Sequence, residues 1–132
     1  MSEVIPEKYR DLFQKRAFAN LGTLMPNGGP QVTPVWFDYT NGKIRINTAR
    51  GRVKAKNMKV GAKVALAIVD PDNVYRYIGI RGPVIAEDEK NADAHIDSLA
   101  KKYLNQDKYP FRTPGEKRVT YVIEPASVHV MG

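Results

Sequence analysis

The sequence predicts a mainly β fold of the α+β class, a small antiparallel barrel with helices packed outside it. Three observations carry that expectation. Short segments alternate apolar and polar residues between clusters of Gly, Pro, Asn and Asp; Asn41-Gly42 is a two-residue hairpin signal; and only one long stretch, in the second half, has helical periodicity. Closing many short strands into a barrel removes the unpaired edges that an open sheet would expose. The length of 132 residues fits one domain, spanning residues 1–132.

Pro6 suits the first turn of a helix over residues 6–14, with Tyr9, Leu12 and Phe13 as its apolar stripe. Residues 17–24, apolar and small, make a first strand, and Met25-Pro26-Asn27-Gly28-Gly29-Pro30 is a turn by composition. In the next strand, residues 31–39, Val32, Pro34 and Trp36 alternate with Gln31, Thr33 and Val35. After Asn41-Gly42, residues 43–48 return with Ile44 and Ile46 on one face and Lys43, Arg45 and Asn47 on the other. Val53, Asn57 and Val60 fall at helical spacing, and Gly61 is the expected stop. Residues 62–69 are a nearly continuous apolar strand ended by Asp70-Pro71-Asp72. Residues 75–86 form another, in which Gly79 and Gly82 mark a bend or a close backbone approach. Ala92, Ile96, Leu99 and Tyr103 define a helix over residues 87–104. A loop, residues 105–117, leads to a closing strand pair, residues 118–123 and 127–131, separated by Pro125.

Charge is unevenly placed. Between Lys43 and Lys63 lie eight of the 21 basic residues and none of the 14 acidic ones, so the remainder of the chain is close to neutral. At the centre, Thr48-Ala49-Arg50-Gly51-Arg52-Val53-Lys54 reads as strand end, turn and helix start. Cations there oppose the helix macrodipole, and an anion held on the free N–H groups of the first turn would reverse the effect. The segment is therefore read as an anion site. Arg52 clamps with two bonds, and Lys54 acts as a mobile point charge. Arg50, Lys56 and Lys59 either meet further carboxylates or keep the helix solvated. Thr48 serves as a helix N-cap, a role compatible with a phosphate contact.

Other classes recede. With no cysteine there are no disulfides, thiolate chemistry or Cys-ligated metals. His95 and His129 lie far apart without an acidic cluster near either, so no protein-ligated metal is expected; His95 is read as a surface residue of the long helix and His129 as structural. No 18-residue apolar run predicts a membrane span, and the first eight residues lack a signal-peptide pattern, so the expected location is cytoplasmic. A nucleic-acid-binding barrel is a rival from another class, but it needs stacking aromatics along its basic track, and Lys43 to Lys63 contains none.

The short N-terminal helix, Gln31-Val32-Thr33-Pro34-Val35-Trp36, the Asn-Gly hairpin and Asn47-Thr48-x-x-x-Arg52-x-Lys54 together resemble the split-barrel flavin and deazaflavin enzymes related to pyridoxamine 5′-phosphate oxidase. Ala100-Lys101-Lys102-Tyr103-Leu104, followed by Lys108-Tyr109-Pro110-Phe111-Arg112, is similar to the branch dependent on coenzyme F420. The resemblance implies an antiparallel Greek-key split β-barrel with a short N-terminal helix and one longer helix outside. It also implies a homodimer with its cofactor at the subunit interface. The implied activity is that of an oxidoreductase using reduced coenzyme F420 to transfer a hydride to an electron-poor conjugated small molecule. FMN is the alternative cofactor, in an oxidase, a reductase or a flavin-binding protein.

By the same likeness, Arg52 and Lys54 grip the phosphate, Thr48 offers its hydroxyl, and Arg50 and Gly51 belong to the same turn. Gln31, Thr33, Pro34, Val35 and Trp36 flank the ring, while Tyr75, Arg76 and Tyr77 complete the pocket from the partner subunit. Trp36 is read either as a core residue or as a ring contact, and Tyr109, Phe111 and Arg112 either as a lid or as a packed loop. No catalytic side chain is assigned; water or a side chain such as Tyr77 supplies the proton. The C-terminal Val128-His129-Val130-Met131-Gly132 lacks the Arg of the pyridoxamine phosphate oxidases, which points away from their substrate.

Overall fold

In the computed structural model, which describes residues 5–132, eight strands surround one apolar core. Residues 1–4, part of the stretch read for a targeting signal, lie outside the described residues. The expected N-terminal helix is a 3₁₀ helix, Glu7–Phe13, which buries Tyr9, Leu12 and Phe13 as its stripe predicts. Strands β1 (Ala19–Leu24), β2 (Pro30–Val35), β3 (Phe37–Thr40) and β4 (Lys43–Ala49) follow, then a short helix α1 (Val53–Asn57). Next come β5 (Lys63–Asp70), β6 (Asn73–Asp88), helix α2 (Ala92–Leu104), β7 (Arg118–Ile123) and β8 (Ser127–Met131).

All pairings are antiparallel, in the order β2-β1-β5-β6-β7-β4-β3, with β8 also on β6. The 16-residue β6 belongs to both halves of the barrel. Its first part lies between β5 and β8, and beyond a bulge between Val84 and Ala86 it continues on β7. That continuation corrects the helix boundary. Residues 87 and 88 are spent on β7, so α2 starts only at Ala92.

The strand expected over residues 31–39 is two strands broken at Trp36, where the chain passes from the β1 side of the barrel to the β4 side. β2 pairs only with β1, and this edge position accommodates Pro34 and leaves Val32 66% exposed. Gly82 meets its predicted need for close approach, because a Cβ there would overlap the Glu124 carbonyl oxygen. α1 turns a different face inward from the expected one. Ala55 and Met58 are buried, whereas Val53 and Val60 are exposed, since a helix this short packs by where β4 delivers it. Gly61 falls after the helix, at φ +94° in the turn into β5.

α2 lies across β4 and β7 and builds a second apolar cluster from Ile96, Leu99 and Tyr103, flanked by Trp36, Leu104 and Tyr109. His95 is not at the surface as expected. It is buried on the inner face of α2, three residues after Ala92 and four before Leu99, the spacing that shares a helix face. Its Nε2 bonds Asp38 Oδ2 at 3.0 Å, and its Nδ1 lies 2.8 Å from Thr120 Oγ1.

Candidate functional site

Two features of the sequence converge where β2 ends and β4 turns into α1. A groove of about 380 Å³ there is lined by Pro34, Val35, Trp36, Thr48, Arg52 and Lys54, all singled out from the sequence. Phe18, Asn47, Ile96, Tyr109, Phe111 and Arg118 complete it. A larger groove, about 570 Å³, lies on the outer face of β1, β5 and β6, with a mostly apolar lining that includes Gly22, Val64, Ala65 and Pro83. The smaller one combines cations, an aromatic wall and an unbonded hydroxyl.

The wall is a stack. Trp36 lies parallel to Tyr103 at 5.1 Å between ring centroids, and Phe18 covers the other face of Tyr103 at 5.7 Å. The Tyr103 hydroxyl fixes the stack by donating to Ala17 O at 2.6 Å and accepting from Phe37 N at 3.3 Å. Trp36 is thus neither fully core nor a bare platform; one face packs on Tyr103 and part of the ring lines the groove. Tyr109 meets Trp36 edge-on at 6.0 Å, and Phe111 meets Tyr109 in the same way. Their loop is pinned to α2 through Asp97, which accepts from Tyr109 N at 2.8 Å and pairs with Arg112. The two expected roles therefore coincide, since a packed loop also walls the groove.

The cationic end rests on β4 and β7. Register pairs Asn47 with Thr120 and Ala49 with Arg118, bringing Arg118 beside the β4 turn. Asn47 Oδ1 accepts from Arg118 Nε at 2.9 Å, while Asn47 Nδ2 donates to Ala92 O at 2.8 Å. The Arg118 guanidinium also lies over the Tyr109 ring, 5.2 Å from its centroid. Burial, and then repulsion from Arg52 and Arg118, hold the Lys54 ammonium below its ordinary pKa. A bound anion would relieve that repulsion. Thr48 sits within β4 opposite Val119, so it is not a helix N-cap; its buried hydroxyl has no hydrogen-bond partner. The Thr33 hydroxyl is likewise buried and unbonded, but of the two only Thr48 lines the groove, where a ligand atom could satisfy it. With only five residues α1 has little macrodipole, so side-chain cations rather than helix N–H groups would carry an anion here.

The remaining candidates sit elsewhere. Arg50 does not line the groove: it bonds Glu87 at 2.8 Å and Glu89 at 2.7 Å, and those hydrogen bonds raise its pKa further. Its partners stand 37 and 39 residues away on and beyond β6, out of sight of the acid-free segment. Arg76 has both terminal nitrogens engaged, by Asp11, Asp70 and Lys8 O, and lies over the Tyr9 ring. Tyr75 is 77% exposed near the β5–β6 turn, and Tyr77 packs edge-on against His129. Neither lines the groove of its own chain, and the expectation places both, with Arg76, in the groove of a second copy. Gln31 accepts from Thr23 at 3.4 Å; Thr33 is half-buried on β2; Gly51 makes the turn before α1 at φ +92°. Arg118, Asn47, Phe18 and Ile96 were missed by sequence reasoning. The Arg52–Lys54 spacing marks only one side of the groove, and strand pairing supplies the other. Among the described residues no cluster of His, Cys, Asp and Glu is arranged to hold a metal ion, and no helix is long and apolar enough to cross a membrane.

A solved structure named F420 reductase is 31% identical to the chain, with a TM-score of 0.82, covering 95% of this chain and 98% of its own. A putative pyridoxamine 5′-phosphate oxidase from Listeria innocua is 13% identical with a TM-score of 0.71, covering 94% and 95%. HutZ, the heme storage protein from Vibrio cholerae, is 11% identical with a TM-score of 0.67, covering 98% and 96%. At the two lower identities the likeness is one of fold. None of the curated proteins matches the sequence. The family profile for pyridoxamine 5′-phosphate oxidase matches residues 5–132, and together with the split-barrel topology this shows that the chain belongs to the pyridoxamine 5′-phosphate oxidase family.

Proposed function

We propose that the protein is an oxidoreductase that binds coenzyme F420 in the Trp36–Arg52–Lys54 groove and reduces an electron-poor conjugated small molecule. The observation that carries this reading is the meeting of three cations, Arg52, Lys54 and Arg118, with the unbonded Thr48 hydroxyl at one end of an aromatic groove. The likeness to a protein named F420 reductase supports it. When bound, the deazaflavin supplies the hydride, and the protein provides orientation, water exclusion and charge complementarity. Arg52, Lys54 and Arg118 hold the phosphate, and Thr48 donates its hydroxyl. Trp36, Tyr109 and Phe111 shield the ring from water. Lys56 in α1 and Lys59 just after it are exposed and would meet the cofactor's carboxylate tail.

The working unit is a homodimer. The outer face of β1, β5 and β6 carries the larger, mostly apolar groove, and the exposed Leu24 and Val32 stand at it. Val32 and the groove residue Pro34 share strand β2, so a second copy seated on that face reaches the open side of the groove. Titrations with coenzyme F420 and with FMN, combined with light scattering, test the reading. Arg52→Ala or Lys54→Ala should weaken F420 binding by about 1.5–3 kcal/mol, as expected for charge-assisted hydrogen bonds, and Lys43→Ala much less. Tighter wild-type binding of FMN than of F420 would assign the flavin instead, and a monomer in the presence of cofactor would remove the dimer.

A further inference from the structure

An acidic side chain stands inside the cation cluster. Glu116 Oε1 accepts from Arg118 Nη1 at 2.9 Å, and Glu116 Oε2 lies 3.7 Å from Arg52 Nη2. Its side chain is 14% exposed, between the buried Arg118 and the half-exposed Arg52. The turn that presents it is tight. Glu116 N donates to Thr113 O at 3.1 Å, Pro114 occupies the second position, and Gly115 supplies φ +81° at the third. That is the pattern of a type II turn, whose third residue requires positive φ. The carboxylate is therefore fixed beside Arg52 and Arg118, two of the three cations that line the groove.

We infer that Glu116 is a specificity-determining residue that tunes the groove for a phosphodiester over a phosphomonoester. This rests on the groove being the cofactor site and specifies which phosphate it accepts. A diester link such as that of F420 carries one negative charge, whereas a terminal monoester such as that of FMN carries about −1.5 to −2 at neutral pH. Both esters gain from Arg52, Lys54 and Arg118, but the extra charge of the monoester is also repelled by Glu116. Two unit charges about 6 Å apart under water-like screening repel by enough to cost about threefold in affinity, so each unit of repelled charge is taken at that value.

The test is a set of parallel titrations of wild type and Glu116→Gln with FMN, coenzyme F420 and riboflavin, which has no phosphate. Glu116→Gln keeps an oxygen acceptor for Arg118 and removes the charge. FMN should tighten about tenfold and F420 about threefold, with riboflavin unchanged. Glu116→Asp, which retains the charge, should keep the wild-type preference and guards against a folding artefact. Equal shifts for FMN and F420, no shift, or a riboflavin shift as large as that of FMN would overturn the inference while leaving the cofactor site standing. If wild type binds neither FMN nor F420, the cofactor reading falls and this inference with it.

Discussion

Asp38→Asn isolates the polar cluster that anchors α2 to the barrel behind the groove. Asp38 accepts from Arg45 Nε at 2.8 Å, from Arg45 Nη2 at 2.7 Å and from His95 Nε2 at 3.0 Å. Burial works to raise its pKa, but the hydrogen bonds and charges of His95 and Arg45 prevail, lowering it from 3.8 to about 2. That fall is worth about 2 kcal/mol, which residual solvent contact at a 19% exposed side chain reduces to about 1–2 kcal/mol. The sign follows from linkage. Above about pH 5 both folded and unfolded states hold the carboxylate and the contribution is complete. Between about pH 5 and pH 2 the unfolded chain takes up a proton that the fold refuses, and stability is lost. Urea unfolding of wild type and Asp38→Asn at pH 7, 4.5, 3 and 2 reads the difference directly. The gap should be about 1–2 kcal/mol at neutral pH and close toward pH 2. A gap independent of pH would mean that packing, not the ion pair, accounts for the site.

Two further substitutions test the scaffold. Gly82→Ala puts a methyl into the Glu124 carbonyl, a backbone atom that cannot swing aside, so thermal unfolding should register a loss of about 1–3 kcal/mol or more. Tyr103→Phe keeps the stack on Trp36 but strips buried partners from Ala17 O and Phe37 N; denaturant unfolding should show about 1–3 kcal/mol of destabilisation with Trp36 emission largely retained.

Local signals in the sequence carried the strands, the hairpin and the Arg52–Lys54 side of the groove, because alternation and turn chemistry act within a few residues. The stripe of α2, Ala92, Ile96, Leu99 and Tyr103, was equally legible; His95, three residues after Ala92 and four before Leu99, shares that buried face although the polarity of a histidine argues for the surface. What stayed hidden depends on register across long intervals. Arg118 reaches the groove because β7 pairs with β4, 71 residues earlier, through Asn47. Arg50 drops out of the site for the same kind of reason, since Glu87 and Glu89 arrive from β6. A count of charge along the chain locates a basic segment but not the acids that fold onto it.

The double membership of β6 has a kinetic consequence. β1 meets β5 across more than 40 residues of chain and β4 meets β7 across roughly 70 to 80, and the two halves are joined by β6, which pairs with both β5 and β7. The hairpins β1–β2, β3–β4 and β5–β6 can form early, whereas each pairing that joins them closes a long loop at an entropic cost. The barrel should therefore fold on the millisecond-to-second scale typical of such non-local β topologies. The groove, whose walls come from both halves, would be one of the last features to take shape, once the long-range pairings of the barrel are set.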